Sequence, residues 1–236
     1  RHFKITSGAH RVSLSWLKMT GGNVGSSNDG GSIHVKNVAA HLNISHCVFF
    51  NNRAGYGGAI YASGGQPTVL ISEISSFNQN HASYGGAAVY LYKAKLVDHS
   101  SMYNMNTAAG DLGGALSLMF GSLSLFNSSL VSNTAGRRGA GIFISGSSSS
   151  PSFFNMSSVT LQSNKQIDGG TDGSYGGGGL YLVYKVTANI RECTFIRNEA
   201  TAGSTGNKHG HQVFTYKGSS DIPSIAIVNT NFTDVS

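Results

Sequence analysis

Two short motifs alternate along this sequence, and their regular spacing is what most limits how the chain can fold. The first is a large apolar residue followed three positions later by asparagine, and its copies lie 26 to 34 residues apart. The second is a glycine-rich step that leads into an apolar run, as in Gly57-Gly58-Ala59-Ile60. A unit this short cannot bury its apolar side alone, so consecutive units must stack. The asparagines of the first motif are Asn52, Asn80, Asn106, Asn133, Asn164 and Asn198.

Within each unit, apolar residues alternate with polar ones before the large apolar position, as Leu42 and Ile44 do before Phe49. A period of two with many β-branched and aromatic residues is typical of strands, and no segment shows a convincing helical period. The sequence therefore predicts an all-β fold, a right-handed parallel β-helix (solenoid) of about eight rungs. We expect residues 1–236 to form a single β-helix domain of a longer chain, because the sequence begins without methionine and stops in mid-repeat.

Equivalent positions of successive units should line up as columns. The asparagines should form a turn ladder in which each amide bonds to its neighbours and to turn backbone. A small residue stands two positions before each large one, and Cys47 and Cys193 both fall there. Their rungs should lie about 24 Å apart at the strand spacing, and a disulfide needs Cα atoms within about 7 Å, so we predict two free thiols. The large column reads Leu17, Phe49, Phe77, Tyr103, Leu130, Leu161, Phe195 and Phe232.

Composition argues against several classes of function. Charged residues make up 11% of the chain, and its 16 Lys and Arg are scattered, with only Arg137 and Arg138 adjacent. A nucleic-acid-binding protein would show a basic stripe, so we predict no nucleic-acid partner. No apolar run approaches the roughly 18 residues of a membrane helix, so we predict no membrane span in this segment. We also predict that no cofactor is bound.

Some β-helices cleave polysaccharides, which requires clustered carboxylates, or Ca²⁺ with a basic residue. This chain has only ten acids. Asp98, next to His99, falls in an inward column, where we expect a local bulge or a hydrogen bond to the backbone or to Ser72. The step His209-Gly210-His211 lacks partner acids and is expected to be a polar corner loop. We therefore predict no catalytic residue.

The glycine-rich loop from Lys165 to Gly176 carries Asp168 and Asp172, which are the only candidates for a metal site. Ca²⁺ takes six or more oxygen ligands, and two carboxylates supply too few of them. The prediction is a solvated loop without a bound metal.

Aromatic residues recur at the outward position of the glycine-led strand. Such a stripe could stack on sugar rings or dock another protein. A return loop or a neighbouring subunit that covers the stripe is an equally good interpretation. The stripe consists of Tyr61, Phe143, Tyr181 and Phe214, and His34, Val89 and Ser117 are assigned to the same position in other units.

Four Asn-X-Ser/Thr sequons occur, a number expected by chance in this composition. Their positions are more informative, because each should point outward or lie at a bend, where a glycan would not disturb the core. This favours a eukaryotic secreted or cell-surface protein glycosylated on at least two of them, with Asn43 and Asn155 as the first choices because they share one phase of the repeat. The alternative is a bacterial passenger whose outward asparagines match the sequon by chance. The sequon asparagines are Asn43, Asn127, Asn155 and Asn231.

The FxxN and GGA[I/L/V] motifs resemble the repeats of polymorphic outer membrane proteins of bacterial pathogens, which also occur in surface proteins of algae and other protists. The resemblance implies a pectin-lyase-like β-helix on an extracellular passenger, with adhesion as the usual role. The clearest copies are Phe49–Asn52 with Gly57–Ile60, Phe77–Asn80 with Gly85–Ala87, and Tyr103–Asn106 with Gly113–Leu116.

These observations favour an extracellular or cell-surface scaffold or adhesin module without catalytic activity. It would present a β-sheet face to other surface or extracellular-matrix proteins, or to glycans, within a larger surface filament or assembly. A polysaccharide lyase or hydrolase of the pectin-lyase-like fold is the alternative, and a carbohydrate-binding module is a third interpretation. Acids clustered in one groove would favour the enzyme.

Overall fold

The computed structural model describes residues 1–6, 11–36, 39–168, 175–201, 211–216 and 221–233. These residues form short strands and no helix. Each coil of the chain contributes up to four strands, and equivalent strands of successive coils pair in parallel. The predicted all-β parallel solenoid is therefore confirmed, while its right-handed sense stays a prediction.

The strands assemble into four sheets, which we name A to D. The strands of sheet A are Phe3–Ile5, Ile33–Lys36, Ile60–Ser63, Val89–Tyr92, Leu116–Met119, Ile142–Ser145, Leu180–Val183 and Val213–Tyr216. The strands of sheet B are Arg11–Ser15, His41–Ser45, Thr68–Ile71, Lys95–His99, Ser122–Phe126, Ser152–Ser157, Val186–Arg191 and Ser224–Val228. The strands of sheet C are Lys18–Thr20, Val48–Phe50, Ser76–Asn78, Met102–Asn104, Ser129–Val131, Thr160–Gln162, Thr194–Ile196 and Asn231–Thr233.

Sheet D is the smallest, with six strands against eight in each of the others. Its strands are Arg53–Tyr56, His81–Gly85, Thr107–Ala108, Thr134–Ala135, Lys165–Gln166 and Glu199–Ala200. About six turns are therefore complete with four strands, slightly fewer than the eight rungs predicted, because the first and last coils contribute no sheet D strand among the described residues.

The coil turns at residues with left-handed backbone, a conformation that L-residues seldom adopt. One such residue stands directly before each ladder asparagine; at Gln79, for example, φ is 53°. Its N–H bonds to the carbonyl oxygen of Asn104 in the next coil at 3.0 Å, so the strained corner is tied to the stack. The corner that enters sheet A uses glycine instead, because a Cβ on Gly57 would collide with the carbonyl oxygen of Ile60.

Large side chains fill the coil as a continuous internal column. The rings of Phe49 and Phe77 stack with their centroids 4.6 Å apart, and those of Phe77 and Tyr103 with centroids 4.9 Å apart. The assignment of Leu17 to this column is wrong, since Met19 pairs with Phe49 and is buried, whereas Leu17 is 38% exposed. In the first coil, Gly22 occupies the position that asparagine has in later coils. Without that asparagine, the sequence does not show which residue of the first coil aligns with Phe49.

The small column contains both cysteines, and Cys47 and Cys193 are buried and free, as predicted. Their thiols donate to backbone carbonyl oxygens, among them those of Leu14 at 3.4 Å and Arg191 at 3.0 Å. Burial raises the pKa of the Cys193 thiol, so this thiol stays protonated at neutral pH.

The six asparagines that the sequence placed in a turn ladder are all buried and hydrogen-bonded to one another from coil to coil. Asn106 shows the pattern. Its Nδ2 donates to Oδ1 of Asn133 at 3.0 Å and to the carbonyl oxygen of Phe77 at 2.9 Å. Its Oδ1 accepts from Nδ2 and the backbone N–H of Asn80, both at 3.0 Å. At the far end, Asn198 donates to Oε1 of Gln212 at 2.6 Å, so a glutamine closes the ladder.

We predict that Asn106→Leu lowers the free energy of unfolding by about 3 kcal/mol, because it leaves buried donors on Asn80 and a carbonyl of Phe77 unpaired, each at roughly 1–3 kcal/mol. Denaturant unfolding monitored by circular dichroism measures the change. The matched control is Asn104→Leu, which alters an outward asparagine of the same coil and should shift stability by less than about 0.5 kcal/mol. Equal losses for the two variants would show that the ladder has no special role.

Candidate functional site

The outer face of sheet A carries seven outward aromatic side chains, more than the outer face of any other sheet. Two outward columns run along it, because alternate residues of each strand face away from the coil. The first column comprises Lys4, His34, Tyr61, Tyr90, Ser117, Phe143, Tyr181 and Phe214. The second comprises Lys36, Ser63, Tyr92, Met119, Ser145, Val183 and Tyr216.

The assignment of Val89 to the first column is wrong. Val89 pairs with inward Ile60 and is buried, and Tyr90 is the residue that pairs with Tyr61. The difference arises at the corner, where Gly86 rather than Gly85 has the left-handed backbone. A register irregularity between Ala82 and Gly85 adds the residue that shifts the alignment by one.

The predicted stripe is only partly exposed. Tyr61 and Phe214 are half-buried, but Phe143 and Tyr181 are 4% and 1% exposed, so for these two the expectation of an exposed stripe is wrong. They pack with Val183 into a second apolar cluster outside the coil. The partly buried residues that cover this cluster are Leu112, Met119, Phe214 and Tyr216.

A pocket of about 440 Å³ lies beside this outer cluster. Its polar wall contains an ion pair, with Nη1 of Arg138 3.1 Å from Oδ2 of Asp111. Burial raises the pKa of the Tyr181 phenol, and the neighbouring Arg138 partly opposes that rise, so the phenol is protonated at neutral pH. The other oxygen of Asp111, Oδ1, is buried without a hydrogen-bond partner.

A second pocket, of about 450 Å³, lies near the other end of the same face. We call it the tyrosine pocket. Tyr61 and Tyr90 stack with an interplanar angle of 2°, and the Tyr56 ring lies 4.6 Å from Tyr90 between centroids. Tyr84, on sheet D, is 47% exposed. The pocket is lined by Ser26, Ser27, Asp29, Tyr56, Tyr61, Tyr84, Tyr90 and Tyr92.

Asp29 supplies the only carboxylate of the tyrosine pocket. Its Oδ1 accepts a hydrogen bond from the backbone N–H of Tyr56 at 3.3 Å. Burial raises the pKa of Asp29, although the Tyr56 hydrogen bond and the charges of Lys36 and Arg1 oppose that rise. Among the described residues, Asp29 forms no ion pair within 4 Å.

Sequence reasoning missed most of this pocket. The available signal was compositional, because half of the ten tyrosines lie between positions 56 and 92. Asp29 could not be placed in the same way, since it lies in a turn between strands and belongs to neither repeat motif.

Asp98, the only inward carboxylate considered as a catalytic candidate, is fully buried and in register with Ile71 and Leu125. There is no bulge, and its partners are not the backbone or Ser72, as expected, but three hydroxyls. Burial raises the pKa of Asp98 to about 6, and hydrogen bonds from the hydroxyls oppose the rise. The hydroxyls belong to Ser101 at 2.5 Å, Tyr103 at 3.0 Å and Ser128 at 3.1 Å. A macromolecular substrate cannot reach a carboxylate enclosed in this way.

Of the other acid and histidine candidates, the structure describes only Asp168 and His211. Asp168 is exposed and lies 3.3 Å from Nε of Arg137, while Asp172, His209 and Gly210 lie outside the described residues. His211 accepts a hydrogen bond at Nδ1 from the backbone N–H of Ala200. Within the described part of the chain, no group of three or more His, Cys, Asp or Glu side chains is arranged to hold a metal ion.

The sequon asparagines differ in their surroundings. Asn43 and Asn155 occupy the same outward column of sheet B. Asn127, Asn155 and Asn231 are exposed, whereas Asn43 is half-buried and its Oδ1 is enclosed without a hydrogen-bond partner. The structure therefore favours Asn155 over Asn43 as a site for attachment.

One comparison with known proteins gives a match. A family model for the Chlamydia polymorphic membrane protein repeat matches residues 46–63. The matched segment contains Phe49, Asn52 and the glycine step at Gly57, so it spans one copy of each motif. No curated protein and no solved structure matches the chain.

The described residues contain no helix with the length and apolar character that crossing a membrane requires.

The Asp98 environment predicts a specific pH dependence. The unfolded carboxyl ionises near 3.8 and the folded one near 6, so the wild type loses about 3 kcal/mol of stability as pH rises from about 4 to above 6. Asp98→Asn cannot ionise and should lack this loss. We therefore expect the stability of Asp98→Asn relative to the wild type to increase over that range in urea titrations. Parallel pH profiles would contradict this assignment.

We predict that the chain, when secreted from a eukaryotic cell with an added signal sequence, receives an N-glycan at Asn155 and none at Asn43. The exposed Asn155 amide is accessible, whereas the Asn43 side chain is half-buried. Intact-mass measurement before and after N-glycosidase, with Asn155→Gln as the control, measures occupancy. Full occupancy of Asn43 together with an empty Asn155 would show that burial does not set the preference.

Proposed function

We propose that this β-helix repeat protein, whose repeats are of the polymorphic membrane protein type, is a non-catalytic adhesive scaffold module at the cell surface or outside the cell. The observation that carries the proposal is the outer face of sheet A, where partly exposed aromatic rings lie beside buried ones. The partly exposed rings are those of Tyr61, Tyr92, Phe214 and Tyr216. A rigid parallel stack of this kind holds such side chains at a fixed spacing of about 4.8 Å. Repetition of that sort suits multivalent contact with another surface.

The surface location is supported by the family match, because the matched repeat is named for a membrane protein of Chlamydia. Composition bears on the partners, since a chain with 11% charged residues and no basic stripe suits neither nucleic-acid binding nor a highly charged partner. The proposed partners are other surface or extracellular-matrix proteins, and glycans.

The proposal that the module is non-catalytic is supported by the surroundings of three of its acids. Asp98 is enclosed in the core, and Asp111 and Asp168 are each paired with an arginine. Polysaccharide hydrolysis of the usual kind needs two carboxyl groups about 5–10 Å apart across one bond. None of these three acids is both accessible and unpaired, so they offer no support to the enzyme alternative.

An adhesion assay tests the proposal. Beads coated with the protein should adhere to cultured epithelial cells or to at least one of immobilised collagen, laminin and fibronectin. Met119→Glu with Tyr216→Glu, both on the outer face of sheet A, should reduce adhesion at least tenfold by placing charges among the aromatics. Val97→Glu places a charge at a half-buried outward position of sheet B and serves as the matched control.

Two results would overturn the proposal. One is no adhesion to any of these surfaces, or an equal loss for the sheet A and sheet B variants. The other is turnover of acidic polysaccharides, with or without Ca²⁺, that is abolished by changing Asp98, Asp168 or His211.

A further inference from the structure

We infer that the tyrosine pocket is a subsite for one neutral sugar residue of a glycan. The inference rests on the proposed function and assigns it a ligand class at one place on the outer face of sheet A. It is carried by the chemistry of the lining, since all eight lining side chains end in an oxygen atom.

The lining suits a ligand that is both ring-shaped and rich in hydroxyl groups. Phenol and serine hydroxyls both donate and accept hydrogen bonds, and a carboxylate accepts two more. The tyrosine rings add apolar contact area beside these polar groups. No aliphatic side chain lines the pocket, whereas the aromatic and aliphatic anchors of protein partners usually fill apolar pockets. A pocket of about 450 Å³ also fits a small ring better than the broad contact of a protein interface.

The charges around the pocket favour a neutral ligand. Asp29 is the only charged residue of the lining, so an anionic sugar would meet a carboxylate within the pocket itself. Lys36 and Arg1 lie close enough to influence Asp29, and their charges offset the attraction that a cationic ligand would feel. A carboxylate held in this balance is suited to accept hydrogen bonds from neighbouring sugar hydroxyls.

The pocket is held in shape before any ligand binds. The turn that carries Ser26, Ser27 and Asp29 is fixed by a 2.6 Å hydrogen bond from the N–H of Gly55 to the carbonyl of Asn28. The Tyr90 hydroxyl donates to Sδ of Met119 at 3.0 Å, which orients that ring. Binding therefore need not order these groups, which lowers its entropic cost.

The experiment uses the whole chain and a printed array of neutral gluco-, galacto- and manno-configured oligosaccharides. Uronic-acid oligosaccharides and a lysine-rich peptide serve as the charged probes. The strongest neutral binder is then titrated against each variant by calorimetry. Tyr84→Ala and Asp29→Asn should each raise its Kd at least tenfold. Phe153→Ala, an exposed aromatic of sheet B, is the matched control and should leave the Kd within twofold.

Several results would overturn the inference: no neutral oligosaccharide bound at millimolar concentration, binding of the charged probes instead, or an equal loss in the Phe153→Ala control. Thermal unfolding of each variant separates a binding defect from a folding defect, and Tyr84→Phe provides a milder change if Tyr84→Ala unfolds. The bead assay distinguishes the two proposals. Adhesion without sugar binding would support the adhesive scaffold and contradict the sugar subsite. Sugar binding without adhesion would support the sugar subsite and contradict the adhesive scaffold.

Discussion

The coil-to-coil hydrogen bonding of the asparagine ladder is the interaction on which the rest of this structure depends. Each coil turns through residues with left-handed backbone, at roughly 1–2 kcal/mol for each residue that is not glycine. Ladder amides offset that cost at the sheet C corner, because every Nδ2 finds one acceptor in the coil before and one in the coil after. The bonds also fix register, since an asparagine displaced by one position would lose both partners. Ring stacking and strand pairing then repeat at the spacing that the ladder sets.

The narrow interior explains why a carboxylate, that of Asp98, is tolerated in an otherwise apolar column. Asp98 replaces an aliphatic residue between Ile71 and Leu125, yet the neighbouring columns supply three hydroxyls within its reach. Two of these come from the small column and the third from the aromatic column, where this coil has tyrosine instead of phenylalanine or leucine. The carboxyl group of this coil therefore occurs together with the hydroxyl groups that bind it. Its hydrogen bonds meet the general requirement that buried polar groups be paired.

Structural features that recur with the repeat can be predicted from the sequence, whereas features that do not recur cannot. The ladder asparagines, the free cysteines and the strand order could be predicted because each recurs at one phase of a repeat. Leu17 and Val89 were misplaced where the period breaks, at the coil with glycine in the asparagine position and at the irregularity before Gly86. The burial of Phe143 and Tyr181 could not be predicted, since it depends on side chains of neighbouring coils that cover an outward face.

The same reasoning indicates where function can be located on such a fold. Inward positions are restricted by stacking, so their chemistry varies little from coil to coil, whereas the first outward column of sheet A changes from histidine through tyrosine and serine to phenylalanine. Non-repeating segments add further variation, as the turn with Asp29 does by closing one side of the tyrosine pocket. A repeat scaffold can therefore acquire a binding site through outward residues and corner segments without loss of the internal ladder. The tyrosine pocket is built in this way, because it joins side chains of sheets A and D to a turn that belongs to neither repeat motif.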